Sequence, residues 1–411
     1  MNRGRRNAWD AALSIIRELR AKGHVALLAG GCVRDRMLGL EPQDYDVATD
    51  AKPSRVAELF PKARHVGAKF GVMIVRRLGH DIEVATFRHD GAYVDGRRPQ
   101  EVSFGTEQED ALRRDFTING LFHDPIGDRI IDHVGGRADI VARIIRTIGD
   151  PMARFGEDHL RMLRAVRFAA RLGFELEPST FEAIRESAAM LELISPERIW
   201  LELEAILTGR FRPAGWALLL QTGLRKHLSK DWAAEEQEDS LNLRRLAALG
   251  DDTVSSALGL SAVLCAREPG HVAGICRALR LSNRRAGEVL WLVRSLPFAR
   301  NETALELADV KTLMADENWE NLLVLLRADL EASGADWGPY ERLRARAADV
   351  GAADVAPPPL VTGDDLCSLG FAPGPKFGEV LSTIYRAQLN GRISTRDEAL
   401  EYVRRELALL R

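Results

Sequence analysis

Residues 28 to 49 read Leu-Ala-Gly-Gly-Cys-Val-Arg-Asp-Arg-Met-Leu-Gly-Leu-Glu-Pro-Gln-Asp-Tyr-Asp-Val-Ala-Thr. The apolar run 24–29 predicts a strand that ends on a glycine pair, Gly30-Gly31. Glycine allows a sharp turn there and brings the backbone close to a phosphate. Asp44 and Asp46 follow, read as positions i and i+2 of a second short strand, so both carboxylates are expected on one face. Two hard oxygen ligands aimed at one point suit Mg²⁺ carrying a nucleoside triphosphate. Taken singly, an Asp-X-Asp triplet is usually a solvated turn and a Gly-Gly pair only a turn. Together, on a strand–turn–helix–strand frame, they read as a nucleotidyl-transfer site.

The chain around this segment has 411 residues, enough for two to four domains with substantial cores. Its 46% hydrophobic and 28% charged content is that of a soluble globular protein. Residues 1–10 are polar with no apolar core, which speaks against a secretory signal, and no apolar run reaches membrane-spanning length. Cys32, Cys265, Cys276 and Cys367 lack Cys-X-X-Cys spacing and argue for neither zinc nor a disulfide framework. A cytoplasmic protein without a membrane partner is expected. The net charge of −3 excludes a chain that is basic throughout. Only eight of the 57 cations are lysine, which a coding bias explains as well as a nucleic-acid surface does. A local basic face still binds RNA on a protein that is acidic overall.

Residues 1 to about 145 alternate short apolar strands, at 24–29, 71–76 and 81–87, with helices and glycine-rich turns, an α/β pattern. Residues 89–105, with Gly91, Gly96 and Pro99, lack periodicity and read as a mobile loop. From about residue 150 the periodicity is helical throughout. Ser195-Pro196-Glu197 marks a helix start, with serine as N-cap and proline in the first helical position. The acidic stretch 235–239 reads as a surface loop, and 352–359, with three consecutive prolines, as a linker to a short C-terminal unit. No internal repeat is visible.

Two further segments carry chemistry. Arg113-Arg114-Asp115-Phe116-Thr117-Ile118-Asn119 is either a helix end with a salt bridge or a site where Arg114 grips a triphosphate bidentately. Residues 157–171, placed on one helix, put Met162, Leu163, Val166 and Ala170 on an inward face. Arg164, Arg167 and Arg171 then share another, with Glu157, Asp158 and Arg161 at its upper edge. The plain reading is a solvated face of i,i+3 and i,i+4 pairs. Three arginines with only Glu157 and Asp158 near enough to offset them would instead be relieved by an anionic ligand. Asp158 and Arg161 also suit a base reader. A carboxylate accepting from an exocyclic amine beside a guanidinium donating to a ring nitrogen accepts C and A and rejects U and G.

Taken in order, Gly30-Gly31-Cys32-Val33-Arg34-Asp35, Asp44-Tyr45-Asp46, Arg113-Arg114-Asp115, Gly135-Gly136-Arg137-Ala138-Asp139, Glu157-Asp158-His159-Leu160-Arg161 and Ser195-Pro196-Glu197-Arg198 resemble the motif set of the class II tRNA nucleotidyltransferase and bacterial poly(A) polymerase family. The resemblance runs from residue 28 to about 205 and returns at Thr362-Gly363-Asp364-Asp365-Leu366 through Pro373-Gly374-Pro375. It implies an α+β fold: a polymerase-beta-like nucleotidyltransferase head (1–148), then an all-helical neck with the base-reading helix (149–212), an RNA-binding body (213–351) and a tRNA-binding tail (360–411). It implies that Asp44 and Asp46 hold catalytic Mg²⁺, with Glu83 as a candidate third carboxylate or a plain strand-edge acid. Gly31, Arg34 and Arg114 would bind the triphosphate. Asp158 and Arg161 would read the base, and Arg164 and Arg167 would continue the nucleotide and primer contacts. Gly135-Gly136 and Asp139 would join head to neck, and residues 90–104 would be the family's flexible element. Cys32 and Gly120 stand where alanine is more usual.

The activity so implied is template-independent addition of CCA to tRNA 3′ ends from CTP and ATP, with tRNA held by its 3′ end and acceptor arm. Val66-Gly67-Ala68-Lys69-Phe70-Gly71-Val72 resembles the CCA-adding version of that strand. The lack of a strongly basic C-terminal extension argues against processive A-tailing by a poly(A) polymerase. A phosphohydrolase-type metal site is not expected, since His80, His89 and His123 fall inside the head and lack partners. A non-catalytic RNA-binding relative would have no use for the Asp44/Asp46 pair. A small-molecule nucleotidyltransferase would not need the long helical region after residue 205.

Overall fold

A mixed sheet carries the Gly-Gly turn and the Asp44–Asp46 segment side by side. The computed structural model describes residues 3–66, 71–91, 102–230, 232, 236–250, 254–369 and 375–408. In chain order the strands up to residue 132 are β1 (Ala26–Ala29), β2 (Asp46–Thr49), β3 (Arg64–His65), β4 (Val72–Arg77), β5 (His80–Thr86), β6 (Arg88–Asp90), β7 (Val102–Phe104), β8 (Leu121–Asp124) and β9 (Arg129–Asp132). Among the described residues seven of them form one sheet in the order β3-β4-β5-β2-β1-β8-β9. β1 is antiparallel to β2, and Ala29 pairs with Asp46, so the turn at Gly30 abuts the start of β2. β2 runs parallel to β5 with Val47 opposite Val84.

All four residues of β1 are buried, as expected of a strand covered on both faces. Helix α1 (Arg3–Ala21) packs on the sheet through Ala11, Ala12, Ile15, Ile16 and Leu19, one stripe at helical spacing with no exposed area. The other helices of this region are α2 (Gly31–Met37), α3 (Pro53–Leu59), α4 (Glu107–Leu112), which opens on a Thr106/Glu109 capping box, and α5 (Gly136–Ala142).

Two expectations need correcting here. The strand begins at Asp46, so Asp44 precedes it instead of sharing it, because β1 ends at the Gly30 turn and leaves nothing for Asp44 to pair with. The stretch read as a structureless loop has regular ends, since β6 and β7 pair antiparallel from Arg88↔Phe104 to Asp90↔Val102. Residues 92–101 within it, and residues 67–70, lie outside the described residues.

Helices follow: α6 (Pro151–Glu157), α7 (Arg161–Leu172), α8 (Pro178–Ser187), α9 (Pro196–Leu207) and α10 (Arg212–Gln221). α9 begins on Pro196 as read, although the Ser195 hydroxyl makes no cap hydrogen bond. Residues 157–171 are not one helix. Asp158 is extended (φ −144, ψ 104), its Oδ1 accepts from the Leu160 N–H at 3.2 Å and its carbonyl from the Arg161 N–H at 3.0 Å. Aspartate competes in this way with helical hydrogen bonding and restarts the chain at α7. Within α7 the inward face is as the spacing requires: Met162, Leu163, Val166 and Ala170 are fully buried.

By its contacts the chain divides into Met1–Ala234 with Ala278–Arg280, and Glu235–Arg277 with Leu281–Arg411. The second unit comprises α11 (Glu236–Ala248), α12 (Ser256–Leu264), α13 (Pro269–Ala278, ending in the first unit's share), α14 (Asn283–Arg300), α15 (Leu307–Met314), α16 (Trp319–Ser333), α17 (Gly338–Ala348), α18 (Gly363–Ser368), α19 (Pro375–Leu389) and α20 (Arg396–Ala408). Of the acidic stretch read as a loop, residues 236–239 open α11, and residue 235 lies outside the described residues. The proline run is fastened to α19: the Tyr385 hydroxyl donates to Pro357 O at 3.0 Å and Gln388 Nε2 to Pro358 O at 2.9 Å. The last three helices share a core that includes Leu366, Ile384, Ala399 and Val403.

Candidate active site

Two cavities meet at Asp46. One, of about 480 Å³, is lined by Asp44, Asp46 and Glu83 with Tyr45 and His80. The other, of about 760 Å³, is lined by the Gly30–Gly31 turn, Arg34, Arg114, Asp158 and the arginines of α7. Asp46 lines both.

The first cavity gathers negative charge. The parallel register Val47↔Val84 sets the preceding residues, Asp46 and Glu83, on neighbouring strands facing the same way. Burial and then the Glu83 charge push the Asp46 carboxyl up to about 6, Asp44 adds to the push, and Arg114 opposes it. Among the described residues no arginine or lysine forms an ion pair with Asp44, Asp46 or Glu83. Nor do three His, Cys, Asp or Glu side chains there close into a complete metal site. His80 borders this cavity, and His123 faces Asp128 Oδ1 at 3.4 Å and stacks on Trp9.

The second cavity gathers arginines, each of them fixed. Arg114 donates through Nη2 and Nε to Asp110 Oδ2 (2.9 and 3.3 Å) and through Nη1 to Asn119 O (3.3 Å), and lies 5.2 Å over the Phe122 ring. Asp110 is itself buried; burial pushes its carboxyl up, but Arg114 and Arg113 outweigh this and hold it below the usual range. Gly30 has φ +72, and a Cβ there would stand 2.8 Å from Arg114 Nη1, so glycine is what admits the guanidinium against the turn. Arg34, 2% exposed, donates to Asp35 Oδ1 (2.8 and 2.6 Å) and to Asn119 Oδ1 (2.5 Å).

The stripe on α7 is opposed at every step, contrary to the sequence reading. Arg164 donates to Asp115 Oδ2 at 2.8 and 2.6 Å, Arg167 faces Glu202 Oε2 at 3.0 Å, and Arg171 donates to Asp35 Oδ2 at 2.7 Å. The carboxylates arrive from other elements, 49 residues away for Asp115 and 136 for Asp35, so spacing along one helix did not reveal them. Burial pushes Asp115 up, but Arg164 and the donors of Asn119 and the Phe116 N–H prevail and hold it far below the usual carboxylate range. Asp158 and Arg161, read as neighbours on one helix face, stand on two elements. Both oxygens of Asp158 lie 3.2 Å from Arg198 Nη2, and Arg161 Nη1 donates to Glu157 Oε2 (2.5 Å) and Arg154 O (3.0 Å). Asp35, Asp110, Asp115, Arg198 and Glu202 thus belong to the site without having been assigned a role. Asp35, Asp115 and Arg198 lay inside quoted motifs; for Asp110 the one signal was its i,i+4 spacing to Arg114.

Residues 26–146 match the family model of the poly A polymerase head domain, and residues 173–235 that of a probable RNA and SrmB-binding site of polymerase A. A CCA-adding enzyme of Geobacillus stearothermophilus is 37% identical over 404 residues, covering 95% of each chain. The chain belongs to the tRNA nucleotidyltransferase/poly(A) polymerase family. A CCA-adding enzyme of Bacillus pumilus is 47% identical over 218 residues, 53% of this chain and 54% of that one. The crystal structure of the Bacillus stearothermophilus CCA-adding enzyme in complex with CTP superposes with a TM-score of 0.72 at 32% identity, covering 98% of each chain.

Nucleotidyltransferases of this family are typically metal-dependent. The first cavity fits such an ion: its carboxylates are oxygen donors, and their mutual repulsion, which adds to burial in raising Asp46, is what a divalent cation relieves. The family's Gly135-Gly136-Arg137-Ala138-Asp139 segment braces the sheet end. Asp139 Oδ2 accepts from the Thr117 hydroxyl at 2.6 Å and Arg146 Nε at 3.1 Å, and a Cβ on Gly136 would meet Thr117 O at 2.2 Å. Gly120 is explained likewise, since a Cβ there would lie 2.7 Å from Val134. Among the described residues no helix is long and apolar enough to cross a membrane.

Proposed function

We propose that this chain adds CCA to tRNA 3′ ends from CTP and ATP without a nucleic-acid template, releasing pyrophosphate, in the cytoplasm. The observation that carries this reading is the junction at Asp46, where a carboxylate-lined cavity opens beside an arginine-lined one of nucleotide size. The names of the 37% and 47% identical relatives support the same activity.

Mg²⁺ held by Asp44 and Asp46, with Glu83 on the same cavity, would supply the charge that activates the RNA 3′-hydroxyl and steadies the leaving pyrophosphate. The Gly30–Gly31 turn, Arg34 and Arg114 orient the triphosphate, Arg114 being held in place by Asp110. Asp158 accepts from the exocyclic amine of C or A, and Arg161 donates to the adjacent ring nitrogen. Their present partners are Arg198 for Asp158 and Glu157 for Arg161. Arg164 and Arg167 line the path of nucleotide and primer. In this reading residues 1–148 are the catalytic head, 149–212 the neck, and 213–351 and 360–411 the RNA-gripping body and tail.

The test is extension of tRNA transcripts ending before, within and after CCA, with Mg²⁺ and CTP, ATP or both, read at single-nucleotide resolution. Addition that stops at a complete CCA is the expected result. A long A ladder from ATP alone would instead make the chain a poly(A) polymerase, and no extension would leave a non-catalytic RNA binder.

A further inference from the structure

We propose that Arg154 is a positioning residue that couples base reading to the grip on the triphosphate, an inference that rests on the roles proposed above for Arg161 and Arg114. Arg154 belongs to α6, outside every quoted motif. Its Nη2 donates to two successive carbonyl oxygens, that of Arg113 at 2.6 Å and that of Arg114. These carbonyls follow the last turn of α4, where acceptors lack intrahelical donors and a cation is favoured. Its Nη1 donates to Glu157 Oε2 at 2.6 Å, and that same oxygen accepts from Arg161 Nη1 at 2.5 Å. Arg161 Nη1 also donates to the carbonyl of Arg154 at 3.0 Å. One carboxylate oxygen and one guanidinium therefore join the base-reading arginine to the backbone that carries Arg114.

The consequence is electrostatic. While Arg161 faces Glu157, the carboxylate shares its charge between two guanidiniums. A base that draws Arg161 onto its ring nitrogen leaves that charge to Arg154 alone, which fixes the guanidinium and, through it, the carbonyls of residues 113 and 114. A base that presents a donor to Arg161 leaves the carboxylate shared and the backbone of Arg114 less firmly held. The side chains of Arg154 and Arg161 are only 11% and 9% exposed, so water substitutes poorly for these partners. Arg154 is not among the residues that line the arginine cavity, so it acts through Arg161 and the backbone of Arg114.

The experiment compares single-turnover addition from CTP and from UTP to a tRNA transcript lacking CCA, using the full chain and the variants Arg154→Met, Arg154→Lys and Glu157→Gln. Arg154→Met is expected to lower the ratio of kcat/KM for CTP over UTP about tenfold, the effect of one lost charge-assisted hydrogen bond, with the loss in kcat for CTP. Glu157→Gln should give a similar loss, the double variant no more than either single one, and Arg154→Lys a partial recovery. Should Arg154→Met fail to fold, Glu157→Gln reads the same ratio. A ratio unchanged from wild type, with both rates lowered by one factor, would overturn the coupling and leave Arg154 a structural brace. If the wild-type chain extends no tRNA, the functional reading has failed. CTP and UTP affinities of the same variants, measured by calorimetry, then decide the coupling, and equal losses for both would overturn it.

Discussion

The two walls that meet at Asp46 balance their charge in opposite ways. On the arginine wall Arg34, Arg114, Arg164, Arg167 and Arg171 each have a carboxylate partner within the chain. On the acidic wall Asp46 is raised to about 6, by burial first and then by Glu83, with Asp44 adding to it. The difference teaches what each wall asks of a ligand. The arginine wall is organised in advance and, under the proposed function, would exchange partners when a phosphate or base arrives, while the acidic wall carries a cost that a bound cation would remove.

Four substitutions probe this contrast, in descending effect. Asp46→Asn should lower nucleotide addition by about three orders of magnitude, the size of several kcal/mol of lost charge stabilisation, read as the first-nucleotide rate on a tRNA transcript. Asp115→Asn takes a buried partner from Arg164 and should cost roughly 2–3 kcal/mol, a fall of about 5–10 °C in the melting of the first unit. Its pH dependence has a definite sign. The folded carboxyl lies below its unfolded value, so its stabilisation is present above about pH 4 and lost as pH falls below that. Acid titration of the melting temperature should show a shallower acid limb in Asp115→Asn than in wild type. Gly30→Ala forces a Cβ toward Arg114 at φ +72 and should cost about 1–3 kcal/mol with a raised KM for CTP, measured by melting and by steady-state kinetics. Arg171→Ala removes a pair whose arginine is 41% exposed and should cost no more than about 1 kcal/mol by the same melting assay.

The same contrast explains how much was legible beforehand. Much of the acidic wall is local: Asp44 and Asp46 lie two residues apart at the start of β2, and the strands at 71–76 and 81–87, the second of which carries Glu83, emerged within a residue or so as β4 and β5. Partners of the α7 arginines are not local. Asp35, Asp115 and Glu202 meet α7 only through tertiary packing, so three paired arginines read as three unopposed ones. Asp158 misled for another reason, since its side chain caps the Leu160 N–H and ends the helix that periodicity alone would continue. At 236–239 a charge run was taken for loop because it holds no apolar residue of its own, the apolar face of α11 beginning only after it.

Thermal melting of wild type and Asp46→Asn across a Mg²⁺ titration at neutral pH tests the contrast most directly. Without Mg²⁺, Asp46→Asn should melt above wild type, because the substitution removes a buried charge facing Glu83 and Asp44. Added Mg²⁺ should then raise the wild-type transition toward that of the variant, whose own transition barely moves. A variant that melts below wild type without Mg²⁺, and responds to the ion as wild type does, would contradict the account.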